Sequence, residues 1–379
     1  MAKYSLLFSL FMMGCIFSCS CQTADINATV NVRTPPNTPP DTNLFIAGNH
    51  PSLGNWNPNS VKMVKINDSL WSTTITLPKG FYLEFKITRG SWNKQAIFKK
   101  GEIPPNTALL VSCDTVINVI PAGWQDLDSR SGRGIVGDVE YHRDIPGDHL
   151  NYARDIIVWL PPSYHSNTTT RYPVLYMHDG QNIIDPSTSF TGYDWHVDEI
   201  SDSLISACKM KEIIIVGISN TPDRSQEYGN TPLGRAYMSF IVTKLKQFID
   251  SIYRTIPDRE NTATMGSSMG GLISFMLVWN YPDVFAQGCC LSPAFLGGII
   301  DSVKHYQGDY KKIRIYMDNG GKGLDEELQL GCEEMLSALL KTGFVEGSNL
   351  MWYHDAEAEH NERAWAARLW RPLLFMFGK

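Results

Sequence analysis

The chain has 379 residues, 43% hydrophobic and 19% charged, with a net charge of -6. That length holds two domains with a sizeable core, and that balance excludes a disordered or fibrous chain. The negative charge argues against a nucleic-acid partner, because phosphate backbones recruit basic faces.

The first predicted element is a leader over residues 1–21. Lys3 precedes an apolar run from Leu6 to Met13, too short to span a bilayer and matching a secretory core segment. Ile16-Phe17-Ser18-Cys19 resembles a loose lipoprotein cleavage box that would leave Cys19 lipidated, with cleavage near Cys21 the alternative. The expectation is an exported protein: secreted, periplasmic, or held at an outer membrane through a lipid anchor alone. Of the remaining cysteines, Cys113, Cys208, Cys289, Cys290 and Cys332, none forms a Cys-x-x-Cys or Cys/His metal pattern. A disulfide is open in an exported chain, but no pair is indicated.

Residues 22–121 read as a small all-β sandwich. Ala28 to Arg33, Asn43 to Gly48, Leu70 to Leu77, Phe81 to Thr88, Ala108 to Val111 and Val116 to Ile120 are rich in β-branched and aromatic residues. Pro/Gly/Asn clusters separate them. Three pieces resemble the starch-binding type of carbohydrate-binding module: Phe45-Ile46-Ala47-Gly48-Asn49, Leu53-Gly54-Asn55-Trp56-Asn57-Pro58, and Leu83 to Arg89. The resemblance implies that Trp56, with Trp92 as a second platform, stacks on sugar rings; flat aromatic faces suit pyranose C–H faces. The family's fuller Trp-Glu motif is not matched, since Asn93 and Lys94 follow Trp92. The alternative is that both tryptophans pack the sandwich core or a domain interface. Polar, Gly-rich residues 122–137 read as a linker.

From 138 to 379 strands alternate with helical stretches, the signature of an α/β domain. Tyr172 to Met177 reads as a strand, followed by His178-Asp179-Gly180-Gln181-Asn182. Gly266-Ser267-Ser268-Met269-Gly270 is a G-x-S-x-G pattern between the short strand Thr262 to Met265 and the apolar helix Leu272 to Trp279. A strand, a tight turn and a helix are what a nucleophile elbow needs, so Ser268 is the predicted nucleophile. In an α/β-hydrolase domain, the expected fold of residues 138–379, the acid and then the histidine follow the serine. Lys312 to Met317 reads as the strand before the acid. Asp325 is the expected acid, because the glycine loop carries it toward the histidine; Asp318, at the strand end, is the alternative. Asn349 to Tyr353 reads as the last strand, and His360, after the loop that follows, is the expected base. His354 is its rival, but sits at the strand's own end. The oxyanion donors are expected to be the backbone N–H groups of Met269 and Gln181.

His178-Asp179-Gly180-Gln181, the Ser268 elbow with Gly270-Gly271, and Glu359-His360-Asn361-Glu362 with Trp365 together resemble the esterase D-type hydrolases. That group includes feruloyl and acetyl-xylan esterases, enterochelin esterases and mycolyltransferases. The resemblance covers about Val139 to Gly378 and implies that Ser268 and His360 act as nucleophile and base, with Gln181 and Met269 as oxyanion donors. The glycine loop is longer than the family's usual one, which leaves Asp325 and Asp318 both open as the acid. The implied chemistry is two-step acyl transfer with no metal or organic cofactor. The expected partner is an ester-bearing carbohydrate, acetylated or feruloylated, or a small-molecule ester. A siderophore-lactone esterase and a sugar-binding protein with an inert hydrolase-like domain are the alternatives. Tyr193, Trp195, Tyr228 and Trp365 are candidates for the cleft wall or the core.

Overall fold

The structure, a computed structural model, describes residues 25–99, 106–127, 135–296, 298–308 and 312–379. The leader read at 1–21 lies outside them. Among the described residues the N-terminal domain contains β1 (Asp25–Arg33), β2 (Phe45–Gly48), β3 (Val61–Lys62), β4 (Val64–Asn67) and β5 (Leu70–Pro78). It continues with β6 (Phe81–Thr88), β7 (Ala96–Ile97), β8 (Thr107–Val111), β9 (Thr115–Val119) and β10 (Gly123–Trp124). Two four-stranded sheets, ordered β4-β5-β1-β9 and β3-β2-β6-β8, form the expected sandwich. Along β1, Ala28, Val30 and Val32 point inward and meet Leu83, Phe85 and Ile87 of β6 in one core. The outward side chains of β1 pair across strands instead, as Thr29 does with Thr74 at 3.0 Å.

The linker expected over 122–137 begins later than its composition suggests. β10 pairs with β7, and Trp124 is fully buried in the sandwich core, its indole N–H donating to Thr38 Oγ1 at 2.8 Å. One large apolar ring outweighs the Gly-rich surroundings. Residues 128–134 lie outside the described ones.

The second domain runs through β11 (Asp138–Ile145), β12 (Arg154–Leu160), β13 (Val174–His178), α1 (Val197–Ser206), β14 (Ile214–Ile218), α2 (Arg224–Glu227), α3 (Pro232–Phe240) and α4 (Lys246–Ile252). Then follow β15 (Thr262–Ser267), α5 (Met269–Asn280), β16 (Gln287–Leu291), α6 (Ile299–Lys304), β17 (Arg314–Gly320), α7 (Leu324–Lys341), β18 (Leu350–Asp355), α8 (Glu362–Arg368) and α9 (Trp370–Phe377). One eight-stranded sheet has the order β11-β12-β14-β13-β15-β16-β17-β18, parallel from β14 to β18. Hydrophobic clusters cover both its faces. The central strands are therefore buried on both sides and read as near-continuous apolar runs rather than alternating ones. The chain passes from β13 to β14 on one side and to β15 on the other. That reversal opens a crevice at the carboxyl ends of β13 and β15, where ligands of open α/β sheets bind.

Among the described residues, no helix is long and apolar enough to cross a membrane.

Candidate active site

Ser268 stands between β15 and α5 with φ 56° and ψ -123°. A non-glycine residue in that region stores about 1–3 kcal/mol of strain and needs its surroundings to hold it. Here Ser268 N donates to Leu291 O at 2.9 Å, and its own carbonyl accepts from Gly271, Leu272 and Ala294 at 3.1 Å each. The turn is closed so tightly that a Cβ on Gly266 would lie 2.6 Å from the Gly270 carbonyl carbon. The hydroxyl thus sits at the N-terminus of an apolar helix, whose dipole favours negative charge.

The loop after β13 faces it. Asp179 is also left-handed, with φ 56°, and its carboxylate binds Arg224 through two contacts of 2.7 and 2.8 Å and Asn220 at 2.6 Å. Burial alone would raise that carboxyl, but Arg224 outweighs burial and holds it below the usual range. Tyr228 OH accepts from Asp179 N at 3.1 Å. Gly180 packs so closely on β14 that a Cβ there would meet the Gly217 carbonyl carbon at 2.5 Å. These restraints aim the backbone of Gln181. Among the described residues neither Gln181 N nor Met269 N donates to a protein acceptor, as an oxyanion pair requires. His178 is buried between Tyr237 OH at 2.9 Å and Thr264 Oγ1 at 3.2 Å, and burial pushes its imidazole down to about 3. It is a neutral strut for this loop.

His360 lies in the loop between β18 and α8. Asn361 begins α8, its side chain accepting from Ala364 N at 3.0 Å, which fixes the chain next to the imidazole. His360 Nδ1 is 2.6 Å from Asp325 Oδ1, and its ring meets Trp365 edge-on at 5.0 Å. Asp325, in the first turn of α7, is fully buried; its second oxygen accepts from Ser292 Oγ at 2.9 Å and Gly320 N at 2.8 Å. Asp318, also fully buried, points elsewhere: it lies 3.0 Å from Arg368 Nε and accepts from Tyr316 OH at 3.0 Å and Ser292 N at 3.3 Å. Burial raises its carboxyl. Of the two candidate acids, Asp325 is the one that touches the imidazole. His354 is exposed at the end of β18.

Sequence reasoning missed Ser292 and Arg368. Ser292 Oγ donates to Asp325 and accepts from Trp365 Nε1 at 3.0 Å and Arg368 Nη2 at 2.7 Å. Ser292 therefore holds both carboxylates, Asp325 through its hydroxyl and Asp318 through its backbone N–H, and the same hydroxyl ties Asp325 to the helix after His360. A Ser-Pro pair after the Cys289 to Leu291 run reads as an ordinary turn, and nothing in that pattern marks a hub.

The tryptophans of the β-domain differ in setting. Trp92 meets Phe190 of the hydrolase domain edge-on at 4.9 Å. Beside it Lys86 Nζ donates to Gln95 Oε1 at 3.0 Å and lies 5.0 Å from the Phe190 ring. Burial lowers Lys86 to about 8 and raises Glu362, two residues beyond His360, to about 7. Trp56 is half-buried in a loop with φ 64°. Trp195, Tyr228 and Trp365 are core residues, and Tyr193 is half-buried. The five cysteines named above are free, with Cys113 and Cys208 exposed.

Comparison with known proteins agrees with both halves. Residues 147–376 match the esterase family, and residues 25–114 match the starch binding domain. An amylopullulanase of Thermoanaerobacter thermohydrosulfuricus is 37% identical over 106 residues, 27% of this chain; the match spans 7% of that enzyme's length. An uncharacterized protein of Bacillus subtilis (strain 168) is 20% identical over 253 residues, 61% of this chain and 96% of its own. Among solved structures, a ferulic acid esterase superposes with a TM-score of 0.53 at 22% identity, covering 64% of this chain and 98% of its own. The enterobactin esterase of Shigella flexneri superposes with a TM-score of 0.56 at 15% identity, covering 92% of each chain. The chain belongs to the esterase family: it is a carboxylic ester hydrolase with an α/β-hydrolase domain preceded by an all-β starch-binding domain.

Proposed function

We propose that the protein is a serine esterase that removes acyl groups, acetyl or feruloyl, from carbohydrate through a Ser268–His360–Asp325 acyl-enzyme mechanism. The observation that carries this reading is the contact of His360 Nδ1 with Asp325 at 2.6 Å, in a chain whose Ser268 is held at φ 56° in a strand–turn–helix elbow. With Nδ1 engaged by the carboxylate, Nε2 is left to take the Ser268 proton as Oγ attacks the ester carbonyl. The oxyanion forms against the N–H groups of Met269 and Gln181. His360 then gives its proton to the departing alcohol, and water repeats both steps on the acyl-serine. Asp325 holds the imidazole and offsets its charge when protonated.

The carbohydrate half of the reading is supported by the match of residues 25–114 to a starch binding domain on the same chain as the esterase. The leader read at 1–21 supports a substrate met outside the cytoplasm. A second reading, hydrolysis of a siderophore lactone, is favoured by the likeness over 92% of each chain to an enterobactin esterase. Measuring kcat/KM on acetylated xylan, a feruloylated oligosaccharide and a cyclic catecholate triester separates them. Preference for a glycan ester by about tenfold or more supports the first reading, and preference for the triester overturns it.

A further inference from the structure

We propose that Asp194, His196 and Glu199 form a binding site for a divalent metal ion of the zinc class, a structural staple at the start of α1. One imidazole nitrogen and one oxygen from each carboxylate lie within 4.8 Å of one another. His196 Nδ1 is 3.4 Å from Asp194 Oδ2 and 3.4 Å from Glu199 Oε1. Two ligands of a tetrahedral ion with bonds of about 2.1 Å stand about 3.4 Å apart, so both separations fit edges of such a polyhedron. His196 Nδ1 is itself buried and makes no hydrogen bond among the described residues. The chain reaches this arrangement through a left-handed turn at His196, φ 53°, which brings residues on either side of it together.

An independent observation points the same way. The Asp198 side chain is fully buried; one oxygen accepts from Val136 N at 2.7 Å, while the other has no donor. Its carboxyl lies within hydrogen-bonding range of that of Glu199, whose Oε2 also lacks a donor. Carboxyl groups gathered this closely, one of them fully buried, repel one another when ionised, and a cation among them relieves that cost. Asp194, too, is 1% exposed. The nearby cation Arg363 lies over the Tyr193 ring at 5.0 Å and lines the same shallow pocket as His196 and Glu199. A mixed imidazole and carboxylate set suits zinc, cobalt or manganese better than calcium or magnesium.

The place gives the ion a task. Trp195 N donates to Asn182 O at 3.0 Å and Val197 N to Ile183 O at 3.1 Å, so this segment is laced to the loop that carries Gln181. An ion here would tie that loop to α1 without touching the reacting atoms.

The test uses the full chain stripped with a chelator. Titration with Zn²⁺ is expected to give one saturable site and a melting temperature raised by several degrees. Affinity falls at least about tenfold in both His196→Ala and Glu199→Gln. Co²⁺ added to the unmodified protein gives the intense visible bands of a tetrahedral site, a readout that does not depend on either variant folding. No saturable binding up to about 1 mM, weak octahedral-type Co²⁺ bands, or a site equally strong in folded His196→Ala protein each overturns the proposal.

Discussion

The crevice around Ser268 and the loops around Trp56 and Trp92 both rest on a few residues, yet they are held in different ways. In the crevice the backbone does the placing. Ser268 is locked by four main-chain hydrogen bonds and the close approach of Gly266 to Gly270, and Asp325 by hydrogen bonds from Ser292 and Gly320. At the tryptophans the setting depends on what lies beyond the loop: Trp92 is half-buried against Phe190 of the other domain, while Trp56 lies in a turn of its own domain. The tight strand–turn–helix geometry at Ser268 travels with its glycine motif. Exposure set by a neighbouring domain does not.

The sharpest way to break that comparison is in the crevice. Ser268→Ala should lower kcat on a chromogenic acetate ester by about 10⁵–10⁶, with the melting temperature unchanged. A fall of less than tenfold would remove the serine from the chemistry. The two buried carboxylates should then part company. Asp325→Asn is expected to cost about 10³–10⁴ in kcat, since the imidazole loses its orienting charge. Asp318→Asn should instead leave Arg368 buried without its partner, costing on the order of 3–5 kcal/mol of stability, while kcat in the folded fraction stays within about tenfold. Comparing kcat with denaturant midpoints for the two variants checks both; the reverse pattern would exchange their roles.

Smaller effects belong to the β-domain. Trp56→Ala should weaken β-cyclodextrin binding at least about tenfold with little change in melting temperature, whereas Trp92→Ala should lower the melting temperature by a few degrees. Calorimetric titration and thermal scans read the two separately, and equal effects on both would erase the distinction. The smallest effect is at the interface. Burial raises Glu362 to about 7, above its ordinary 4.5, so the folded state holds that proton more tightly than the unfolded one. Stability from this group is complete below the ordinary value and is lost as pH rises through about 7. Glu362→Gln cannot ionise, so its melting temperature relative to the unmodified protein should climb between about pH 5 and pH 8. A falling difference would mean that Glu362 ionises readily against Lys86.

Much of this was legible in the residues. β1, β5 and β6 follow their alternating or β-branched runs, and Ser268, Asp325 and His360 follow the carboxyl ends of β15, β17 and β18, parallel strands of one sheet. The elbow was legible because few residues tolerate its geometry. What stayed hidden depends on contacts between segments far apart in the chain. Ser292 matters through partners 26 to 76 residues away, and no local pattern announces them. Trp124 lies in a polar, Gly-rich stretch, and only pairing with β7 and burial in the sandwich reveal that it belongs to the β-domain.

The most direct test is covalent. A fluorophosphonate probe reacts with a serine only when a base activates the hydroxyl and the oxyanion finds its donors. Incubation of the full chain with the probe, followed by peptide mass mapping, should place a single adduct on Ser268, slowed at least about a hundredfold in His360→Ala. An unlabelled Ser268 in folded, ester-hydrolysing protein, or labelling that proceeds equally fast without His360, would contradict the account.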